Sequence, residues 1–168
     1  MKKIETPMPA TSWAAISTGF GVGAVLGNVI ALRVKPSRTL VAAFGAMMLA
    51  SLQGAFLASG LGTGGIAALE LIAGIGVSIF FTLWDSTVQE QVPADATARV
   101  AAYDWATSVG LMPVGLALAG PAGEWLGVET AMRAGTVLGV GAALACLSVP
   151  AVRHLRRRAL PPAAAVPS

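Results

Sequence analysis

Residues 13–32 read WAAISTGFGVGAVLGNVIAL, twenty positions without a single Asp, Glu, Lys or Arg. At about 1.5 Å of rise per residue, such a run covers ~30 Å as a helix, the thickness of a bilayer's hydrocarbon core. Its four glycines would weaken a helix in water, yet glycine is frequent in transmembrane helices. The run therefore reads as a membrane span. Outward along the chain, 40–59 is also free of charge, and 66–84 carries one ionisable residue, Glu70. The stretch 100–125 holds Asp104 near its start and Pro113 and Pro121 further on, and 128–152 has Glu129 and Arg133 near its beginning. Barrel strands alternate polar and apolar residues over about ten positions, whereas these runs are long and unbroken. The expectation is an all-α polytopic membrane protein with about five transmembrane helices, at 13–32, 40–59, 66–84, 100–125 and 128–152. Together they form a bundle over 13–158. A short leader (1–12) precedes it, a Pro/Ala-rich tail (159–168) expected to be disordered follows it, and Asp85–Arg99 is expected as an interfacial loop.

Composition excludes the other classes. Of 168 residues, 55% are hydrophobic and 11% charged, with a mean hydropathy of +0.74. Soluble chains carry about 25% charged residues, and disorder needs low hydrophobicity. One cysteine, Cys146, permits no intrachain disulfide, and with the single histidine, His154, it builds no Cys/His metal site. No metal and no cofactor is expected. The leader is interrupted by Glu5, Pro7 and Pro9, which argues against a cleaved signal peptide.

Charge gives the orientation. With the 33–38 loop in the cytoplasm, Arg33, Lys35, Arg38, Arg99, Arg153, Arg156, Arg157 and Arg158 share one side, eight of the eleven basic residues. The positive-inside rule then places the C-terminus in the cytoplasm and the N-terminus outside, in a cell (inner) membrane. Lys2 and Lys3 fall on the unfavoured side, which leads to the expectation that a preceding helix is missing from this chain. The C-terminal arginines read as a stop-transfer cluster that attracts anionic lipid, not as a nucleic-acid site. Trp13, Trp84, Trp105 and Trp125 lie near span ends, where indole rings favour the headgroup region.

Within the spans, Gly19, Gly23 and Gly27 recur every four residues and lie along one helix face, and Gly135 and Gly139 repeat that spacing. Such glycines let a neighbouring backbone approach closely. Gly19, Gly21 and Ala24 also satisfy a loose dinucleotide fingerprint, but no strand precedes them and no βαβ unit surrounds them. Glu70 is expected about one turn inside its span, where it either snorkels or pairs with Arg133. Asp85 and Asp104 are expected to pair with Arg33, Lys35, Arg38 or Arg99 as a latch, and Glu70, Asp85, Arg99 and Asp104 are the candidates for a coupling site or ion-pair gate. Glu129 and Arg133, four apart in the favourable order, are expected to pair with each other. No nucleophile–base pair, metal-ligand spacing or P-loop is present, so an enzyme is not expected.

The stretch 82–127, TLWDSTVQEQVPADATARVAAYDWATSVGLMPVGLALAGPAGEWLG, resembles the C-terminal half of major facilitator superfamily exporters. The likeness is to the bacterial drug and siderophore branch that contains the enterobactin exporter. It rests on Gln89, Val92, Pro93, Asp95, Arg99 and Val100, then on a P-x-G-x-x-x-A-G pattern formed by Pro113, Gly115, Ala119 and Gly120. GFGVGAVLGNVIALRVKPSR (19–38) is similar to the family's eighth helix and the loop after it, although the loop's Asp is absent. The resemblance implies helices eight to twelve, most of one six-helix bundle, and proton-coupled efflux of a small amphipathic molecule. In that superfamily the substrate sits between two halves. A lone five-helix piece would therefore need a separate N-terminal half or a second copy as partner, besides the lipid bilayer. A non-transporting membrane protein, or a degenerate transporter remnant, is the alternative.

Overall fold

The computed structural model describes residues 9–34, 36–54 and 61–155. The described residues form helices joined by short connections, with no strand among them. We number them α1 (Ala10–Arg33), α2 (Thr39–Ser51), α3 (Thr63–Gln91), α4 (Ala94–Leu126), α5 (Val128–Ser148) and α6 (Pro150–His154). Four of these, α1, α3, α4 and α5, are long and apolar enough to cross a membrane. The second expected span is an apolar helix of 13 residues as described, and positions 55–60 of it lie outside the described residues, as do residues 1–8 of the expected leader and the whole of the expected tail.

The expected loop over Asp85–Arg99 is mostly helix. Nothing in 85–91 breaks a helix, so α3 runs on to Gln91 and ends only where Pro93 forces the preceding Val92 into extended backbone (φ −94°, ψ 131°). Chain reversal takes two residues, and Asp95 stands in the first turn of α4, where a negative charge suits the helix dipole. The last expected span is interrupted for a similar reason. Val149, before Pro150, is extended (φ −73°, ψ 119°), and Pro150 restarts the chain as the first residue of α6. Between α4 and α5 the reversal is made at Gly127, whose φ of 82° lies in the region open to glycine.

Packing shows which way each helix runs. Gly19, Gly23 and Gly27 of α1 lie against the backbones of Ala67, Leu71 and Ile75 of α3, so four residues along α1 match four along α3. The two helices are parallel. Thr63 Oγ1 donates to Ser12 Oγ (3.3 Å) near their first residues, and Thr82 Oγ1 donates to Asn28 Oδ1 (2.8 Å) towards their ends. Helix α2 runs the other way: Phe44 meets Phe80 edge-on (5.7 Å between centroids), Gly76 meets the Ala46 carbonyl, and Gln53 bonds Glu70. Helix α5 opposes α2, since Gly54 sits by Met132 and Thr136 while Ser51 sits by Gly139. Thus α1, α3 and α5 point one way and α2 and α4 the other.

The tightest packing joins α1 to α3. A Cβ on Gly27 would lie 2.5 Å from the Ile75 carbonyl oxygen, and one on Gly19 or Gly23 would collide with the Ala67 or Leu71 carbonyl outright. Only hydrogen fits there. By contrast α4 has no buried residue: it meets α3 and α5 near its two ends and leaves Tyr103, Trp105, Leu111, Leu116 and Trp125 exposed along its length. Large apolar side chains exposed in such numbers are costly against water and cost nothing against lipid tails.

Candidate functional site

Charged residues gather at the two ends of the helices. One end collects the last turns of α1, α3 and α5 with the first turns of α2 and α4. It carries Arg33, Arg38, Asp85, Glu90, Asp95, Arg99 and Arg153. The opposite end carries Glu124, Glu129 and Arg133. Between them the described helices carry Asp104, about three turns into α4, and Glu70, whose burial decides what the interior can do.

Glu70 is 6% exposed. It lies two turns into α3, ~10 Å from Thr63, because α3 starts three residues before the expected span. That depth corrects both expectations for it. The carboxylate does not snorkel, and it does not pair with Arg133. Its Oε1 accepts a hydrogen bond from Gln53 Nε2, two residues past the end of α2, which runs antiparallel to α3. Arg133 instead binds Glu129 one turn earlier on α5 (2.5 Å), as their spacing predicts.

Gln53 also faces a cavity of about 290 Å³ between α2 and α5. Met47, Ala50, Val77 and Met132 give that cavity apolar walls, and Ser51, Gln53 and Thr136 supply its polar atoms. Gly54 and Gly135 line the space, and Gly139 lies against Ser51 at its edge. A Cβ on Gly54 would meet Thr136 Oγ1 at 2.7 Å, and one on Gly139 would meet Ser51 Oγ at 2.8 Å. Gly135 lines the cavity and has nothing within 4 Å of where its Cβ would be, so it is not a close-approach position. The hydroxyls of Ser51 and Thr136 turn back to donate to Met47 O (2.9 Å) and Met132 O (3.2 Å), which satisfies them without a partner helix.

Asp85 and Asp104, each expected to pair with a basic residue, instead line one space together because Val92 and Pro93 reverse the chain in two residues. They line a second cavity of about 160 Å³ between α3 and α4 with Gln89, Thr97, Ala101 and Trp105. Trp84 Nε1 donates to Asp104 Oδ2 (3.2 Å), and Asp85 and Arg99 are exposed. Among the described residues neither aspartate is within ion-pair distance of Arg33, Arg38 or Arg99, and Lys35 lies outside them. Thr107 and Ser108 on α4 are exposed, whereas Ser78 faces α1 beside Gly27. Among the described residues no group of three His, Cys, Asp or Glu is placed to hold a metal ion.

Three features escape a reading of the sequence: Gln53 as the partner of Glu70, Gly54 as the opening of the cavity, and Gly74 and Gly76 as close-approach positions on α3. Gly74 fits against the Phe20 carbonyl and Gly76 against that of Ala46, so α3 is notched on two faces. No family model, curated protein or solved structure matches the chain.

Proposed function

We propose that this chain is a multi-pass cell-membrane protein and supplies the C-terminal wall of a secondary active exporter of the major facilitator superfamily. The observation that carries the proposal is the partly polar, open groove between α2 and α5 in a mostly apolar bundle of alternating helices. A substrate path between transporter halves needs a partly polar space of this kind among the helices. The glycine-notched α1–α3 pair is closely packed, and α4 is attached near its ends. That division suits a unit that rocks as a body while one helix adjusts.

In this proposal α1, α3 and α5 run from outside to inside, which places the C-terminal end in the cytoplasm with the arginine-rich face of the bundle. The facing wall is supplied by further helices, in the same polypeptide, in a separate N-terminal half or in a second copy. Transport is driven by protons, and the substrate is a small amphipathic molecule. Deletion of the gene from its host, followed by measurement of amphipathic dye accumulation, tests the reading. Raised accumulation, restored by re-expression and abolished by a protonophore, is expected. Unchanged accumulation across a chemically varied dye panel would leave the non-transporting reading in its place. Gradient-driven transport by the purified chain as a monomer in liposomes would contradict the need for a facing wall.

A further inference from the structure

We infer that the groove between α2 and α5 binds a small apolar molecule that brings its own N–H donors, a primary ammonium on an apolar body. The inference rests on the membrane reading above and names the ligand class of the space on which the exporter proposal stands. The polar side chains lining the groove are Ser51, Gln53 and Thr136. A hydroxyl has one hydrogen to donate and two lone pairs that accept. Ser51 spends its hydrogen on Met47 O (2.9 Å), and Thr136 spends its own on Met132 O (3.2 Å). Gln53 gives an N–H to Glu70 Oε1. These groups keep lone pairs on Ser51 Oγ, Thr136 Oγ1 and Gln53 Oε1, against one remaining N–H of Gln53.

A space lined by acceptors favours ligands that supply hydrogens. A carboxylate or a phosphate brings only acceptors, and leaving those unpaired away from water is costly. A quaternary ammonium has the charge but no N–H. A protonated amine has both, and its hydrogen bonds to neutral oxygens are charge-assisted. The apolar body of the ligand meets Met47, Ala50, Val77 and Met132. At about 290 Å³ the groove is near the lower limit of ligand pockets, roughly 300 Å³, so the molecule is small. Among the described residues no cation lines the groove to repel an ammonium, and Arg133, beside Met132 on α5, is held by Glu129.

The test uses the whole chain in phosphatidylcholine liposomes, with insertion checked by flotation, and a primary arylalkylammonium carrying a diazirine as photoprobe. Mass spectrometry locates the adduct, which is expected within 47–54 or 132–136. Unlabelled primary ammonium is expected to displace the probe at a concentration about tenfold lower than its N-trimethyl analogue, the factor for one lost hydrogen bond to a charged group. The matching carboxylate is expected not to displace it. Ser51→Ala combined with Thr136→Val is expected to leave flotation and helix content intact and to remove most of that tenfold preference. Equal displacement by the two ammonium compounds, displacement by the carboxylate, or an unchanged preference in the double variant would overturn the inference. Adducts elsewhere on floated protein would overturn the site even where the dye assay supports export. Binding in the groove by a protein whose deletion leaves dye accumulation unchanged would remove the exporter reading and keep the site. Labelling of the same residues by a diazirine on a phosphatidylcholine acyl chain, undisturbed by the ammonium, would show a lipid contact in its place. Failure of the parent chain to float would remove the membrane reading and this inference together.

Discussion

Gly23 and Gly21 differ by two residues and by everything that matters for packing. A side chain on Gly23 would occupy the volume of the Leu71 carbonyl, while Gly21 has nothing within 4 Å of its missing Cβ. Gly23→Leu is expected to destabilise the fold by about 1–3 kcal/mol or more, the usual range for overpacking. Gly21→Leu is expected to change stability by less than about 0.5 kcal/mol. Unfolding of the two variants in mixed micelles, followed by circular dichroism, measures the difference. Equal effects would mean that α1 does not meet α3 through this face. The four-residue spacing of Gly19, Gly23 and Gly27 makes this seam visible in the sequence. The spacing of Gly135 and Gly139 gives the same signal, yet only Gly139 is in close contact, against Ser51. Spacing shows that a face is smooth, and only the arrangement of neighbours shows what lies on it. For the same reason Gln53 gave no signal. A lone glutamine near the end of an uncharged run has meaning only once α2 has folded back along α3 and brought it to Glu70.

At the scale of helices, the parallel alignment of α1 and α3 is the most distinctive geometric claim. Ser12 meets Thr63 near one end and Asn28 meets Thr82 towards the other. In a Cys146→Ala background, the cysteine pairs Ser12→Cys/Thr63→Cys and Asn28→Cys/Thr82→Cys are each expected to oxidise to a disulfide, since both positions of each pair are in side-chain contact. The mixed pair Ser12→Cys/Thr82→Cys is expected to stay reduced. Mobility on non-reducing gels separates these outcomes, and cross-linking of the mixed pair would reverse the alignment. Helix existence was legible, because long uncharged runs leave the backbone little choice in an apolar medium. Helix ends were less so. Composition marks where polarity changes, whereas Pro93 and Pro150 mark where a backbone N–H is missing, and the ends of α3 and α5 are set by these prolines. Inside α4, Pro113 and Pro121 deprive the carbonyls of Val109 and Ala117 of their usual partners without ending the helix. A helix with two such gaps and no buried residue is the element best placed to bend.

For the molecule as a whole, alternating helix directions send the chain from one face to the other at every turn. The end that receives the last turn of α5 also holds Arg33, Arg38 and Arg99, while the far end holds Arg133. Counting charges along the sequence anticipates this segregation, because each basic cluster adjoins a span end. The cavity and the buried carboxylate were not legible, since both arise from helices far apart in sequence. If the helices thread a bilayer in this order, residue 9 and residue 155 lie on opposite sides of it. The direct measurement places a phosphatase that is active only after export, and a protein that fluoresces only in the cytoplasm, in turn at each end of the chain in membrane-bound form. The account predicts phosphatase activity at the N-terminal end and fluorescence at the C-terminal end. Both reporters giving the same compartment at the two ends, or the fusion protein remaining in the soluble fraction, would contradict it.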